Sequence, residues 1–201
     1  VLAVLPLFHV GGLCIQVLPA LATGACVHLH ARFDPGAWLA DVPAWRPSTS
    51  LLVPAVMQAI LAHPGWPAAD LSALRFLNSG SSIVPVALIE AFHARGVPVA
   101  QVYGSTETGP FSIALRPDEA LAHVGGTGRP APGVQLRLAA PDGRPVQPGD
   151  VGEIWLQAPN LMRGYHRLPA TGPGSGFVDG WYATGDLARA DADGHVTVVG
   201  R

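Results

Sequence analysis

The segment Gln101–Pro110, QVYGSTETGP, concentrates side chains that can do chemistry. The Tyr103 ring can stack on a base or a bound substrate. Gly104 permits close backbone approach. Ser105, Thr106 and Thr108 offer hydroxyls, and the Glu107 carboxylate is the hard oxygen ligand that Mg²⁺ takes. The same residues also suit a polar turn with a helix cap. Leu77–Pro85, LNSGSSIVP, is a second junction of this kind. Gly80, Ser81 and Ser82 can present backbone amides to an anion or a base, or simply cap a helix. They do not form a serine-hydrolase elbow, because Val84 stands where the second glycine belongs. In Trp181–Leu187, WYATGDL, the Asp186 carboxylate has two oxygens that can accept from the two hydroxyls of a ribose. Arg201 can bind a ribose or phosphate oxygen, or stay solvated.

Other patterns favour plain structure. His28 and His30 share one strand face, as metal ligands would, but spacing supplies no third ligand. Gly125-Gly126-Thr127-Gly128 is followed by Arg129-Pro130 and strands, which is wrong for a dinucleotide fingerprint. Asp191-x-Asp193-Gly194 lacks the later glutamate of a calcium loop and reads as a hairpin turn.

These segments need a frame to hold them. Apolar residues make up 49% of the 201 and charged residues 13%, enough for a sizeable core and too few charges for disorder. Net charge is −2 and the basic residues are scattered, which speaks against nucleic acid or an anionic lipid surface as partner. The longest apolar stretch, Gly11–Gly24, is interrupted by Gln16 and Pro19 and is too short to span a bilayer. No signal or transit segment is visible. Cys14 and Cys26 have no metal or redox spacing and read as buried free thiols of a cytoplasmic protein. All 12 basic residues are arginine, so any chemistry that needs an ammonium group must come from outside these residues.

The first half alternates strands and helices. Strands are predicted at Leu2–Leu5, Cys26–His30, Thr49–Val53, Leu74–Leu77 and Val97–Tyr103. Helices are predicted at Leu13–Leu21, Pro35–Trp45, Ala55–His63 and Pro85–Arg95. Such alternation implies α/β architecture, a mainly parallel sheet with flanking helices. After about Pro110 the rhythm changes to short alternating strands: Val134–Leu138, Glu153–Gln157, Trp181–Ala183 and His195–Val199. Asp193-Gly194 forms a hairpin turn, and Pro169–Gly176 a flexible surface loop. Residues 1–110 are thus expected as the α/β subdomain and 111–201 as a smaller β-rich subdomain.

Taken in order, PLFHVGGL (Pro6–Leu13), NSGSSIVP, QVYGSTETGP, GTGRPAPG (Gly126–Gly133), GEIWLQAPNLMRGY (Gly152–Tyr165), WYATGDL and GHVTVVGR (Gly194–Arg201) resemble the successive motifs of the AMP-forming, or adenylate-forming, synthetase superfamily. The resemblance covers essentially the whole chain and implies that the β-rich part is a distorted barrel. Transferred residue by residue, it implies that Tyr103 stacks on adenine and that the backbone of Gly80, Ser81 and Ser82 lies along the adenine and acyl groups. Thr106 would contact phosphate, Glu107 would coordinate Mg²⁺, and Asp186 and Arg201 would hold the ribose. Val102, Gly104 and Ser105 would line the nucleotide site, and His9 would stand at the carboxylate pocket. ATP, giving AMP, and Mg²⁺ are implied, with CoA as co-substrate.

The superfamily's chemistry has two halves. A carboxylate attacks the α-phosphate of ATP and releases pyrophosphate, and a thiol then displaces AMP from the acyl-adenylate. Mg²⁺ and hydrogen-bond donors must neutralise charge where two anions meet. The lysine-bearing phosphate loop of the pattern would precede Val1, and the mobile domain with the catalytic lysine would follow Arg201. These residues alone are therefore expected not to form an adenylate efficiently. Val102 stands where many relatives have glycine. It either narrows the acyl pocket, favouring a small, flat or slender carboxylic acid, or points into the sheet core. No carboxylate near His9 pairs with a substrate ammonium, which favours acyl-CoA ligation over amino-acid activation. A carrier-protein adenylation domain and a non-catalytic nucleotide-binding module are the other readings. Medium-chain, aryl and cinnamate-like acids all fit, and nothing in the sequence specifies an oligomeric state.

Overall fold

The structure, a computed structural model, describes every residue except Ala170, Thr171 and Pro173. Its chain divides into two compact units. The first comprises Val1–Val102 and Leu115–Gly125, the second Tyr103–Ala114 and Gly126–Arg201.

The first unit is built on parallel strands. β1 (Leu2–Ala3) lies between β2 (His28–Leu29) and β3 (Thr49–Leu52), and β4 (Phe76–Gly80) continues from β3. Residues Leu77–Gly80 of β4 pair with Val99–Val102 of β5 (Val99–Ser105), the strand that carries the chain into the second unit. Parallel neighbours require crossovers, and here each crossover is helical. α3 (Pro35–Trp45) begins where Asp34 accepts from the Ala37 N–H at 2.7 Å, with Pro35 in the first turn, and ends at Arg46 in the left-handed conformation. α4 (Pro54–Ala62) also starts on a proline, and α5 (Val86–His93) follows Pro85. The core they enclose holds Leu2, Trp38, Val42, Leu52, Met57, Ile60, Leu77, Ile89 and Phe92.

The predicted helix Leu13–Leu21 is longer and less regular than its pattern suggests. α1 (Val10–Gly12) runs into a π turn over Leu13–Val17 and then into α2 (Leu18–Ala22). Pro19 has no N–H to give to the carbonyl four residues back. The wide turn just before it has the Leu18 N–H on the Leu13 carbonyl instead. The thiols are free, but Cys14 is half-buried and Cys26 exposed, not buried as the sequence suggested. Cys26 lies just before the short strand β2, which stands at the edge of its sheet among the described residues.

The second unit carries a curled antiparallel sheet, half of a barrel. β8 (Gln135–Ala139) pairs with β9 (Val151–Gln157), and β9 with β11 (Trp181–Ala190). The other edge of β11 is shared in succession by β10 (Phe177–Val178) and β12 (Val196–Gly200). The hairpin through Asp193-Gly194 pairs Ala188 with Val198, as the turn signal predicted. β11 is longer than its Trp181–Ala183 pattern, because a bulge between Ala183 and Leu187 breaks the alternation at Thr184-Gly185-Asp186. β6 (Gly109–Ala114) and β7 (Arg129–Pro130) pair antiparallel and had no clear sequence signal. Ile113, Leu138, Ile154, Leu156, Ala188 and Val196 form this unit's core. The expected loop Pro169–Gly176 lies partly outside the described residues. Among the described residues no helix is long and apolar enough to cross a membrane.

Candidate functional site

Tyr103 stands on β5 as the chain enters the second unit, half-buried, with its ring packed against the core of that unit. Its hydroxyl donates to Asp186 Oδ2 at 2.8 Å, across 83 residues of sequence. Arg201 Nε lies 3.5 Å from Asp186 Oδ1, so the carboxylate has one neighbour on each oxygen. Burial, with the carboxylate beside it, pushes the Tyr103 hydroxyl well above its usual range, so it stays a donor.

The bulge of β11 places Asp186. Thr184 Oγ1 donates to the Ile154 carbonyl at 2.8 Å and accepts from the Asp186 N–H at 3.1 Å. Glu153 accepts from the Gly185 N–H at 2.8 Å and from Trp155 Nε1 at 3.0 Å. Irregular backbone at the bulge leaves the sheet ladder short of partners, and these side chains replace them.

Glu107 lies on the turn between β5 and β6. Tyr165 donates to Glu107 Oε1 at 3.0 Å and lies 3.2 Å from the Tyr182 hydroxyl, while the Glu107 carbonyl accepts from the Met162 N–H at 2.7 Å. Burial raises the Glu107 pKa. Hydrogen bonds from its own N–H, Ser105 and Tyr165, with the charge of Arg201, outweigh it and hold the carboxyl below its usual range. Glu107 is thus a carboxylate at neutral pH. Burial also pushes the Tyr182 hydroxyl up.

The turn is locked from within. Ser105 N–H donates to Thr108 Oγ1 at 2.9 Å and Thr108 N–H to Ser105 Oγ at 3.2 Å. Asn160 Nδ2 donates to the Thr108 carbonyl at 3.1 Å. Gly104 is required by packing, since a Cβ there would stand 2.5 Å from the Gly109 carbonyl oxygen. Thr106, at the tip, is exposed.

The remaining predicted residues belong to the first unit. Gly80 ends β4 against β5, where a Cβ would meet the Val102 carbonyl oxygen at 2.2 Å. Val102 is 5% exposed, with its side chain beside Gly80. Ser81 and Ser82 are exposed, and Ser81 has φ 69°, a left-handed conformation uncommon outside glycine. His9 is exposed and caps α1, its Nδ1 accepting from the Gly11 N–H at 3.1 Å.

Within the second unit, then, Tyr103 on β5 comes together with Asp186 and Arg201, which neighbour each other across the β11–β12 pairing. Tyr165 and Glu153 were not singled out in the sequence. Tyr165 closes the GEIWLQAPNLMRGY segment, but nothing local marks its partner 58 residues away. Chemically, the unit offers an aromatic ring, a carboxylate with two anchored oxygens, a guanidinium and a second carboxylate kept ionised.

A family profile described as AMP-binding enzyme matches residues 1–166, and the chain belongs to that family. It is 45% identical over its whole length to an indoleacetate–CoA ligase of Aromatoleum aromaticum. It is 42% identical over 98% of its length to a feruloyl-CoA synthase of an Amycolatopsis species. The chain spans 39% and 40% of these two relatives, about two fifths of their length. Among solved structures, o-succinylbenzoate coenzyme A synthetase from Bacillus subtilis, in complex with ATP and magnesium ion, matches the whole chain at a TM-score of 0.86 and 28% identity, over 41% of that chain. The N-terminal domain of FACL13 from Mycobacterium tuberculosis, bound to an inhibitor, matches it at 0.87 and 26% identity, over 50% of that chain.

Proposed function

We propose that the protein is an ATP-dependent acyl-CoA ligase and that these residues form much of its adenylate-binding portion. The observation that carries the proposal is the convergence of Tyr103, Asp186 and Arg201, the residue types an adenosine needs, in a chain 45% identical to a CoA ligase.

In this reading the Tyr103 ring stacks on adenine while its hydroxyl keeps Asp186 oriented. Each Asp186 oxygen has a second lone pair, so the carboxylate can accept from both ribose hydroxyls while Tyr103 and Arg201 stay in place. Gly80, Ser81 and Ser82 lend backbone to the adenine and acyl groups, with Val102, Gly104 and Ser105 as further lining. Thr106 offers its exposed hydroxyl to a phosphate oxygen. His9, its Nδ1 engaged by the backbone, presents Nε2 towards the carboxylic acid. Glu107 fits Mg²⁺, because it is an ionised, half-buried oxygen ligand held on a rigid turn. Bound there, Mg²⁺ would neutralise charge on the phosphates of ATP.

The reaction balances without a covalent enzyme nucleophile. A carboxylate oxygen bonds the α-phosphorus and pyrophosphate leaves; CoA sulfur then bonds the acyl carbon and AMP leaves. The two relatives at 45% and 42% identity are named for acids that carry aromatic rings. An aryl-substituted carboxylic acid is accordingly the substrate class proposed. A cytoplasmic location belongs to the same proposal, in keeping with the free thiols of Cys14 and Cys26.

The test is a panel of arylacetic, cinnamic, medium-chain fatty and amino acids given to the full-length protein with ATP, Mg²⁺ and CoA. Thioesters of aryl acids, formed at the highest kcat/KM of the panel, are expected. Turnover of amino acids alone, independent of CoA, would reject the reading.

A further inference from the structure

The His28 and His30 pair acquires a third ligand in the fold. Asp41, on α3, directs Oδ2 at both imidazoles, 2.9 Å from His28 Nε2 and 2.7 Å from His30 Nε2. The three residues come from β2, the residue just after it, and the middle of α3, and all lie in the first unit. Their ligand atoms lie within 4.8 Å of one another. We propose that His28, His30 and Asp41 form a binding site for a divalent transition-metal ion of the Zn²⁺ type.

Donor chemistry narrows the ion. Two imidazole nitrogens and one carboxylate oxygen suit Zn²⁺, Cu²⁺ or Ni²⁺ far better than Mg²⁺ or Ca²⁺, which take oxygen. Geometry allows it. With Zn–N and Zn–O bonds of about 2.0–2.2 Å, tetrahedral ligands stand about 3.3 Å apart. The present separations of 2.7 and 2.9 Å would open by roughly half an ångström, a shift that small side-chain rotations supply. Both rings already turn Nε2 inward, and their centroids lie 5.5 Å apart, edge to face. The His28 ring is stacked on Trp45 at 4.6 Å, which limits its rotation. Side-chain exposures of 29% for His28, 7% for His30 and 22% for Asp41 leave the cluster partly open to solvent. Water would fill the remaining coordination there, as in open three-ligand sites. A bound ion would tie the edge strand β2 to α3. None of the three residues is among those assigned to the nucleotide or acid, so the inference stands apart from the proposed activity.

The same atoms could act only as a hydrogen-bonded clip, and the test separates the two. Zn²⁺ is titrated calorimetrically into the metal-free, full-length protein, its His28→Ala, His30→Ala and Asp41→Ala variants, and a Cys26→Ser control for the exposed thiol. Co²⁺ absorption is recorded in parallel. Wild type and Cys26→Ser should bind one equivalent of Zn²⁺ that each of the other variants loses or binds at least about tenfold more weakly. They should also show the visible Co²⁺ bands of nitrogen- and oxygen-ligated four- or five-coordinate sites, absent from the variants. Thermal unfolding of the metal-free proteins reports whether each variant folds. Any one folded variant suffices for the comparison, and Zn²⁺ should raise the midpoint of wild type and not that of the variant. Equal Zn²⁺ stoichiometry and affinity in wild type and a folded variant, or no Zn²⁺ binding by wild type, would overturn the site.

Discussion

Asp186 receives the Tyr103 hydroxyl on one oxygen and faces the Arg201 guanidinium on the other. The two neighbours differ in weight. Arg201 is 82% exposed, so its ion pair is screened and contributes little, whereas the Tyr103 bond is half-buried and short. Asp186→Ala should therefore lower kcat/KM for ATP by about 10- to 100-fold, the span of a lost hydrogen bond to a charged group. Tyr103→Phe keeps the ring and loses only the orienting bond, so it should lower that ratio by less than about tenfold. Steady-state kinetics with ATP varied at saturating acid checks both, and equal losses in the two variants would contradict the division of roles. Residue types alone leave this cluster open, since Tyr103, Asp186 and Arg201 suit a turn or a solvated surface as well as a nucleotide, and it is the order of the motifs along the chain that makes them readable. Tyr165 and Glu153 are not readable in that way. Their partners are 58 and 32 residues distant, and only the pairing of β9 with β11 and the return of the chain past β9 bring them in.

The elements place these residues by close packing as much as by pairing. A Cβ on Gly80 would stand 2.2 Å from the Val102 carbonyl, a backbone atom that cannot swing away. Gly80→Ala should thus push β4 from β5 and cost about 1–3 kcal/mol, as overpacking of a core does. Urea unfolding of the intact protein would show it as a lower midpoint at an unchanged slope. α5 contributes a different constraint. His93 Nε2 accepts from the Val99 N–H at 3.0 Å, which only the neutral ring can do, and burial holds its pKa below the usual value. Its contribution is therefore fully present above the unfolded value of about 6.5. It declines as pH falls below that value and is lost once pH has passed the lower folded value. His93→Ala should lose about 1 kcal/mol at pH 8 by leaving the Val99 N–H unpaired, and the difference from wild type should shrink towards pH 5. Chemical denaturation at several pH values checks the trend. Helices α3, α4 and α5 lie within about two residues of their predicted ranges, because each start is set by local residues, Asp34-Pro35, Pro54 and Pro85. β6, β7 and the far half of β11 carry no such signal, because their extended form comes from neighbouring strands rather than from alternation in the sequence.

At the scale of the whole molecule, the proposed reaction asks no covalent nucleophile of the protein, and these 201 residues contain no lysine. Chemistry of this kind rests on bringing two anions together and on where charge is neutralised. It leaves a signature that no side chain can imitate, since one oxygen of the acid must depart with AMP. The direct measurement uses a carboxylic acid labelled with ¹⁸O in both carboxylate oxygens, given to the full-length protein with ATP, Mg²⁺ and CoA. Mass spectrometry of the products should find one ¹⁸O atom in each AMP formed and the other in the acyl-CoA. Label in inorganic phosphate alongside ADP, or AMP formed without label, would contradict acid activation by adenylation.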